Sequence, residues 1–249
     1  MPSFKDHFSG HATLYREARP LPPADWFAWL AGQAPDRALA WDAGCGNGQA
    51  SLGLAAHFER VVATDPSATQ IGQAAAHPAI DYRVEPAERS SLAAASASLV
   101  CVSQALHWFD LDAFHAEVRR VAGPGALVAI SGYGNCSVDR AVDAVERALY
   151  AGTLEGDWPP ERALVDHGYR GLPFPFEPVP TPSFGMRADW DLAQFLAYLR
   201  SWSATQRYVT RTGVDPVQAV APALAQAWGD PEQVRAVRWP FFTHVGRVL

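Results

Sequence analysis

Cysteine is scarce and scattered: Cys45, Cys101 and Cys136 are odd in number, argue against a disulfide framework and lack metal-ligand spacing. Two of them are expected in core strands or turns, as small buried apolar residues, and the compartment they suit is a reducing cytoplasm. No metal is expected from the histidines either, since His115, His167 and His244 share no ligand spacing. Clustered Lys and Arg are also missing, and a formal net charge of -6 leaves no footprint for nucleic acid. No apolar run is long enough to cross a bilayer. The opening "MPSFKDHFSGHATLYREARP" lacks the apolar segment of a secretory signal. Internal repeats and low-complexity tails are absent. What the chain does have is 49% hydrophobic residues, nine tryptophans and only 18% charge, enough to build one large domain over residues 1–249.

From Ala38 to Tyr133 short apolar runs alternate with helical patterns. "ALAWD" (38–42), "RVVATD" (60–65), "AIDYRV" (79–84), "ASLVCVS" (97–103) and "ALVAISGY" (126–133) read as strands. All but the third are nearly continuous in apolar residues, as in a parallel sheet covered on both faces. Helices are expected in "PPADWFAWLAGQA", over 48–58, and over 111–122, the last opened by Asp110 and stopped by Gly123-Pro124. The alternation predicts an α/β fold: a doubly wound, Rossmann-like, mostly parallel sheet with helices on both faces. Seven prolines between 159 and 182 interrupt the pattern, and "FEPVPTPSFGM" suits an edge strand. "DWDLAQFLAYLRSWSATQRY" and 216–228 read as helices, and "VRWPFFTHVGRVL" as one late, antiparallel strand. The expected division is a core of 20–150 and 230–249, with 151–229 forming a helical cap inserted between late strands.

The chemistry begins at "ALAWDAGCGNGQAS", where Asp42 precedes Gly44, Gly46 and Gly48. Alternate glycines let a backbone approach a ligand without Cβ interference. The spacing departs from the dinucleotide pattern G-x-G-x-x-G, because the fifth position after Gly44 is Gln49. Asp42 would repel a pyrophosphate and suit a cation. Asp65, ending the second strand, is placed to accept from two ribose hydroxyls. Either acid alone could equally cap a helix. Together they point to a ligand with a ribose and a positive charge but no phosphate, S-adenosylmethionine.

"WDAGCGNGQAS" with "VVATDPSATQIGQA" resembles the class I S-adenosylmethionine-dependent methyltransferases, over about Pro20 to Tyr133. The resemblance implies that Asp42, Gly44 and Gly46 surround the methionine part, that Asp65 holds the ribose and that Pro66 lies against adenine. The family's Asp after the third strand is Pro86 here, so Ala87 or Glu88 is implied at the adenine edge, and Gln104 completes the cofactor set. "SQALHWFDLDAF" and "AISGYGN", with "YREARPLPP", resemble the subgroup containing trans-aconitate methyltransferase. That implies a small-molecule acceptor, with a carboxylate oxygen as one candidate.

His107 is the candidate general base, for acceptors that need one, and Trp108 and Phe109 could wall the reacting centre. For an anionic acceptor the candidate cations are Arg19, Arg200 and Arg207, with Tyr15, Tyr133 and Tyr208 as hydroxyl donors. Three other readings are a protein that binds the cofactor without catalysis, an NAD-binding oxidoreductase, and an aromatic C-terminal half that serves as a protein-interaction surface.

Overall fold

The computed structural model describes residues 19–249; Tyr15 lies outside them. Helix α1 (Ala24–Gln33) precedes β1 (Leu39–Ala43). There follow α2 (Gln49–Ala55), β2 (Arg60–Asp65), α3 (Ala68–Ile71), β3 (Ile80–Val84), β4 (Ala97–Ser103), α4 (Leu111–Val121) and β5 (Ala122–Tyr133). With β6 (Glu177–Pro178) and β9 (Phe241–Arg247) these strands form one seven-stranded sheet in the order β3-β2-β1-β4-β5-β9-β6. Strands β1 to β5 are parallel, whereas β9 runs antiparallel to β5.

The apolar runs are continuous because successive side chains feed opposite cores. Leu99 and Cys101 of β4 pack with Trp26, Phe27 and Leu30 of α1 and Leu54 of α2. Val100 and Val102 pack instead with Phe114, Val118 and Val121 of α4. Strand β5 splits in the same way, Leu127 and Ala129 to the first core and Val128 and Ile130 to the second. Trp41 is fully buried, and its Nε1 donates to Thr64 Oγ1 at 2.9 Å.

Several boundaries differ from the sequence expectation; the helix expected over 48–58 ends at Ala55, and the strand expected from 126 begins at Ala122. Helix α4 stops at Val121, before Gly123-Pro124, because Ala122 is already extended and paired with Ala97 of β4. The expected helix over 189–208 is two helices, α7 (Leu192–Arg200) and α8 (Ser203–Thr212). Trp202 is extended at the break, where the Ser201 and Thr205 hydroxyls donate to the Tyr198 and Leu199 carbonyls. The closing strand is likewise divided. Pro240 has no N–H to give a ladder, and it separates β8 (Arg235–Trp239) from β9. Strand β8 leaves the main sheet to pair antiparallel with β7 (Met186–Trp190).

Between β7 and β8 lie α7, α8 and α9 (Pro216–Trp228). Together with α5 (Arg140–Ala148) they enclose a further core that includes Val142, Leu149, Phe195, Leu199, Trp202, Trp228, Val237 and Trp239. This overturns the reading of the aromatic half as an interaction surface: Phe195 and Trp228 are wholly buried, and Trp202 and Trp239 nearly so. A short helix, α6 (Arg162–Asp166), leads from this unit back toward the main sheet. No helix among the described residues is long and apolar enough to cross a membrane.

Candidate active site

Strand order reverses between β1 and β4, and there the loops that follow the strands part. A cavity of about 880 Å³ opens at that point, near the top of the range for a single small ligand. It is lined by the tips of β1, β2, β4 and β5, by the loop after β3, and by residues 158–165 and 202–203.

The first loop is pinned from below, since the Gly44 and Cys45 amides both donate to the Thr64 carbonyl, at 2.8 and 3.0 Å. Gly44 has φ +69°, and a Cβ there would come within 2.7 Å of the Ala105 Cβ and 2.8 Å of the Phe109 ring. Gly44→Ala is therefore expected to cost about 2 kcal/mol, from left-handed backbone plus overpacking, measured as a lowered chemical-denaturation midpoint. Gly46 is different. Its φ is +55° and a Cβ would meet nothing closer than 3.9 Å, so the bare backbone borders open cavity.

The Gly46 amide donates to Asp65 Oδ2 at 2.9 Å, and the Ser67 amide to Oδ1 at 2.9 Å. One carboxylate oxygen is thus aimed by each neighbouring loop. A carboxylate has about four lone-pair sites, and this one lines the cavity. Asp42 is fully buried yet borders the cavity. Its Oδ2 accepts from Ser51 Oγ at 2.6 Å, while Oδ1 has no partner. Burial raises its pKa to about 7, against the opposing Ser51 bond and with help from the Asp65 charge. The Asn47 Nδ2 is a second orphan at the rim, one that sequence reasoning missed. Buried polar groups without partners are rare, and an acid and an amide donor orphaned together fit a ligand with both an ammonium and a carboxylate.

Pro66, Ala87 and Glu88 also line the cavity. Ala87 is buried, and Glu88 Oε1 accepts from the Asp110 amide at 2.9 Å, tying the loop after β3 to the start of α4. Gln104 is at the wall, but its side chain is occupied: Oε1 accepts from the Tyr133 amide at 2.9 Å and Nε2 donates to the Tyr133 carbonyl at 3.2 Å. It braces the end of β5 rather than offering its amide to a ligand. Its φ of +57° is matched by the same value at Tyr169. Such strain in residues other than glycine tends to collect at functional sites.

His107 Nδ1 lies 2.7 Å from the Tyr169 hydroxyl, and the Trp108 ring centroid is 4.5 Å from its own. Burial, with the charge of Arg162 second, drives the His107 pKa down to about 3. The imidazole is neutral at physiological pH, but so weak a base is poorly suited to the proton abstraction expected of it. The reason is long-range: neither Tyr169 nor Arg162 adjoins His107 in sequence.

Among the candidate cations, Arg19 borders the cavity, donating to the Tyr133 hydroxyl at 3.3 Å and the Ser201 carbonyl at 2.9 Å. Arg200 and Arg207 do not line it. Arg200 pairs with Asp215 at 2.8 Å, joining α7 to the start of α9, and Arg207 lies close enough to Asp157 to lower that acid's pKa. Tyr208 is half-buried against the core that α5 and α7–α9 enclose, under the Arg211 guanidinium. The cavity cations that sequence reasoning missed are Arg89, next to Glu88, and Arg162, which lies over the Trp158 ring.

A family model described as a methyltransferase domain matches residues 41–130. A candidate type II methyltransferase from Anaeromyxobacter dehalogenans is similar in structure, with TM-score 0.87 and 51% identity over 93% of this chain and 98% of that one. A candidate methyltransferase of Dictyostelium discoideum is 29% identical over 230 residues, 90% of this chain and 87% of its own length. A candidate methyltransferase from an antibiotic biosynthesis pathway of Anabaena variabilis shares the fold at 15% identity, with TM-score 0.56 over 94% of this chain and all of that one. With its glycine loop and strand-tip acids, the chain belongs to the class I S-adenosylmethionine-dependent methyltransferases.

Proposed function

We propose that the protein methylates a small organic acid on an oxygen that is already ionised at neutral pH. The observation that carries this reading is the uneven distribution of charge in one cavity: Asp42, Asp65, Glu88 and Asp110 outnumber Arg89 toward the strand tips, and Arg19 and Arg162 outnumber Glu161 on the opposite side. S-adenosylmethionine, when bound, supplies a methyl group made electrophilic by its sulfonium. The acidic end is suited to that cation and the basic end to an anionic partner. Asp65 would hold the ribose, Asp42 the charged amino-acid part across the bare Gly44–Gly46 backbone, and Pro66 and Ala87 would flank the adenine with Glu88. Trp108 and Tyr133 would border the acceptor, with residues 151–229 forming its outer wall. The acceptor class is also the one suggested by the likeness of 103–114 and 129–135 to the trans-aconitate methyltransferase subgroup.

In this reading His107 acts without taking a proton. If the Tyr169 hydroxyl donates to Nδ1, the imidazole hydrogen is on Nε2 and the ring is a donor. The remaining contribution is placement, holding donor and acceptor for in-line displacement. The test is turnover with methyl-labelled S-adenosylmethionine across carboxylates, phenols and amines. Label in carboxylates alone is expected, with kcat at saturating donor flat from about pH 6 to 9, since no group must lose a proton. Preference for phenols or amines, with a kcat that climbs through a single ionisation, would refute the proposal; no turnover with any panel would favour a binding protein without catalysis.

A further inference from the structure

Arg162 is only 16% exposed and stands at the cavity wall. It is held rigidly. Its Nε donates to the Tyr150 hydroxyl and to Asp166 Oδ1, both at 2.9 Å. Its guanidinium lies over the rings of Tyr150 and Trp158, at 5.5 and 5.1 Å. Trp158 is itself fixed, because its indole Nε1 donates to the Tyr150 carbonyl at 2.9 Å and its ring packs 5.6 Å from Trp202. Burial works against the charge, but Tyr150 and Asp166 outweigh it and hold the Arg162 pKa above the ordinary value. The two terminal amino groups, the half of the fork that grips planar oxyanions, make no hydrogen bond among the described residues.

The ion-pair partner of Arg162, Asp166, reaches it through Nε alone. Asp166 is shared with Tyr150 and is itself 38% exposed. His107 is neutral, and burial raises the pKa of Glu146 to about 7, so that acid is only partly ionised. Glu161, on the same wall, is the remaining acid. A fixed guanidinium with its outer nitrogens unengaged, on an indole-lined wall, is built to receive something flat and anionic.

We infer that Arg162 is the specificity-determining residue of the acceptor site: it takes the carboxylate of a planar, conjugated acid, whose body lies against Trp158, Trp202 and Trp108. This rests on the methyltransferase reading above and adds the substrate's recognition handle. Arginine suits the role better than lysine, because stacking and bidentate pairing both need the planar fork.

The test uses the full chain saturated with S-adenosylhomocysteine, after titration has shown that the nucleoside binds. Benzoate and cinnamate are then titrated alongside benzamide and cinnamamide, with tryptophan fluorescence as the readout. The acids are expected to bind at least about tenfold more tightly than their amides. Arg162→Gln is expected to weaken the acids by about 10- to 50-fold, while leaving the amides and S-adenosylhomocysteine unchanged, and Arg162→Lys to restore only part of the loss. Equal binding of acids and amides by the unmodified protein, or no binding of the acids, overturns the inference without needing any variant. So does an Arg162→Gln protein that keeps its preference for acids. Failure of S-adenosylhomocysteine to bind the unmodified protein would overturn the underlying reading instead.

Discussion

Asp65→Ala should lower the affinity for S-adenosylhomocysteine by about a hundredfold or more, the value of two hydrogen bonds to a charged acceptor. The expectation follows from how the carboxylate is held. Gly46 N and Ser67 N each donate to one of its oxygens, so its orientation is fixed before any ligand arrives. Preorganisation of this kind removes a cost of binding that a mobile side chain would incur. The substitution leaves two amides to find water at a part-buried site, a smaller penalty than the lost ligand contacts. Isothermal calorimetry measures the affinity, and far-ultraviolet circular dichroism checks that the sheet remains. Asp65→Asn should fall in between, because it keeps one acceptor oxygen but loses the charge. An Asp65→Ala protein that binds as tightly as the parent would show that the carboxylate does not hold the ribose.

The second large effect is a dependence on pH carried by Asp42. Its ligand-free pKa is raised to about 7 from an ordinary value of 3.8. A group raised on folding binds more protons in the folded than in the unfolded state between those two values. Its contribution to stability is therefore complete below about pH 4 and is lost as pH rises through 7. Asp42→Asn should accordingly stabilise the ligand-free protein at pH 8, by on the order of 2–4 kcal/mol relative to the parent. A bound cation reverses the preference, since it favours the ionised acid. Binding of S-adenosylmethionine should thus release a proton below pH 7, and its affinity should fall by about tenfold between pH 8 and pH 6. In Asp42→Asn the affinity should be weaker at pH 8 and flat across that range. Calorimetry in buffers of different ionisation enthalpy counts the proton directly. A parent protein that takes up or releases none at pH 6 would remove Asp42 from the cation site.

The proposed donor half of the cavity was legible as a cluster of residues, because its contacts are local. A glycine loop follows one strand, an acid ends the next, and parallel register brings Asp42 beside Ala63 and Ala43 beside Thr64, so the two tips adjoin. The proposed acceptor half was not legible. Arg162 and Asp166 are four residues apart, a spacing common on solvated helix faces. Only the return of α6 beneath His107, Tyr169 and the β5 tip makes Arg162 part of a cavity wall. Arg200 and Arg207 differ in the opposite sense: expected as cations for an anionic acceptor, neither lines the cavity, and Arg200 is bonded to Asp215. His107 was legible as a residue of the site but not in its chemistry, because its pKa is set by burial and by a distant guanidinium. The same limit applies to Pro240. A proline within an apolar run suggests an edge strand, and nothing local reveals that the run divides between two sheets.

The most direct test of the account is calorimetric titration of the unmodified protein with S-adenosylhomocysteine and, separately, with NAD. A single S-adenosylhomocysteine site per chain, with no heat from NAD, is the predicted result. Heat from NAD with none from the homocysteine nucleoside would contradict it, for the acids at the strand tips would then be facing a different guest.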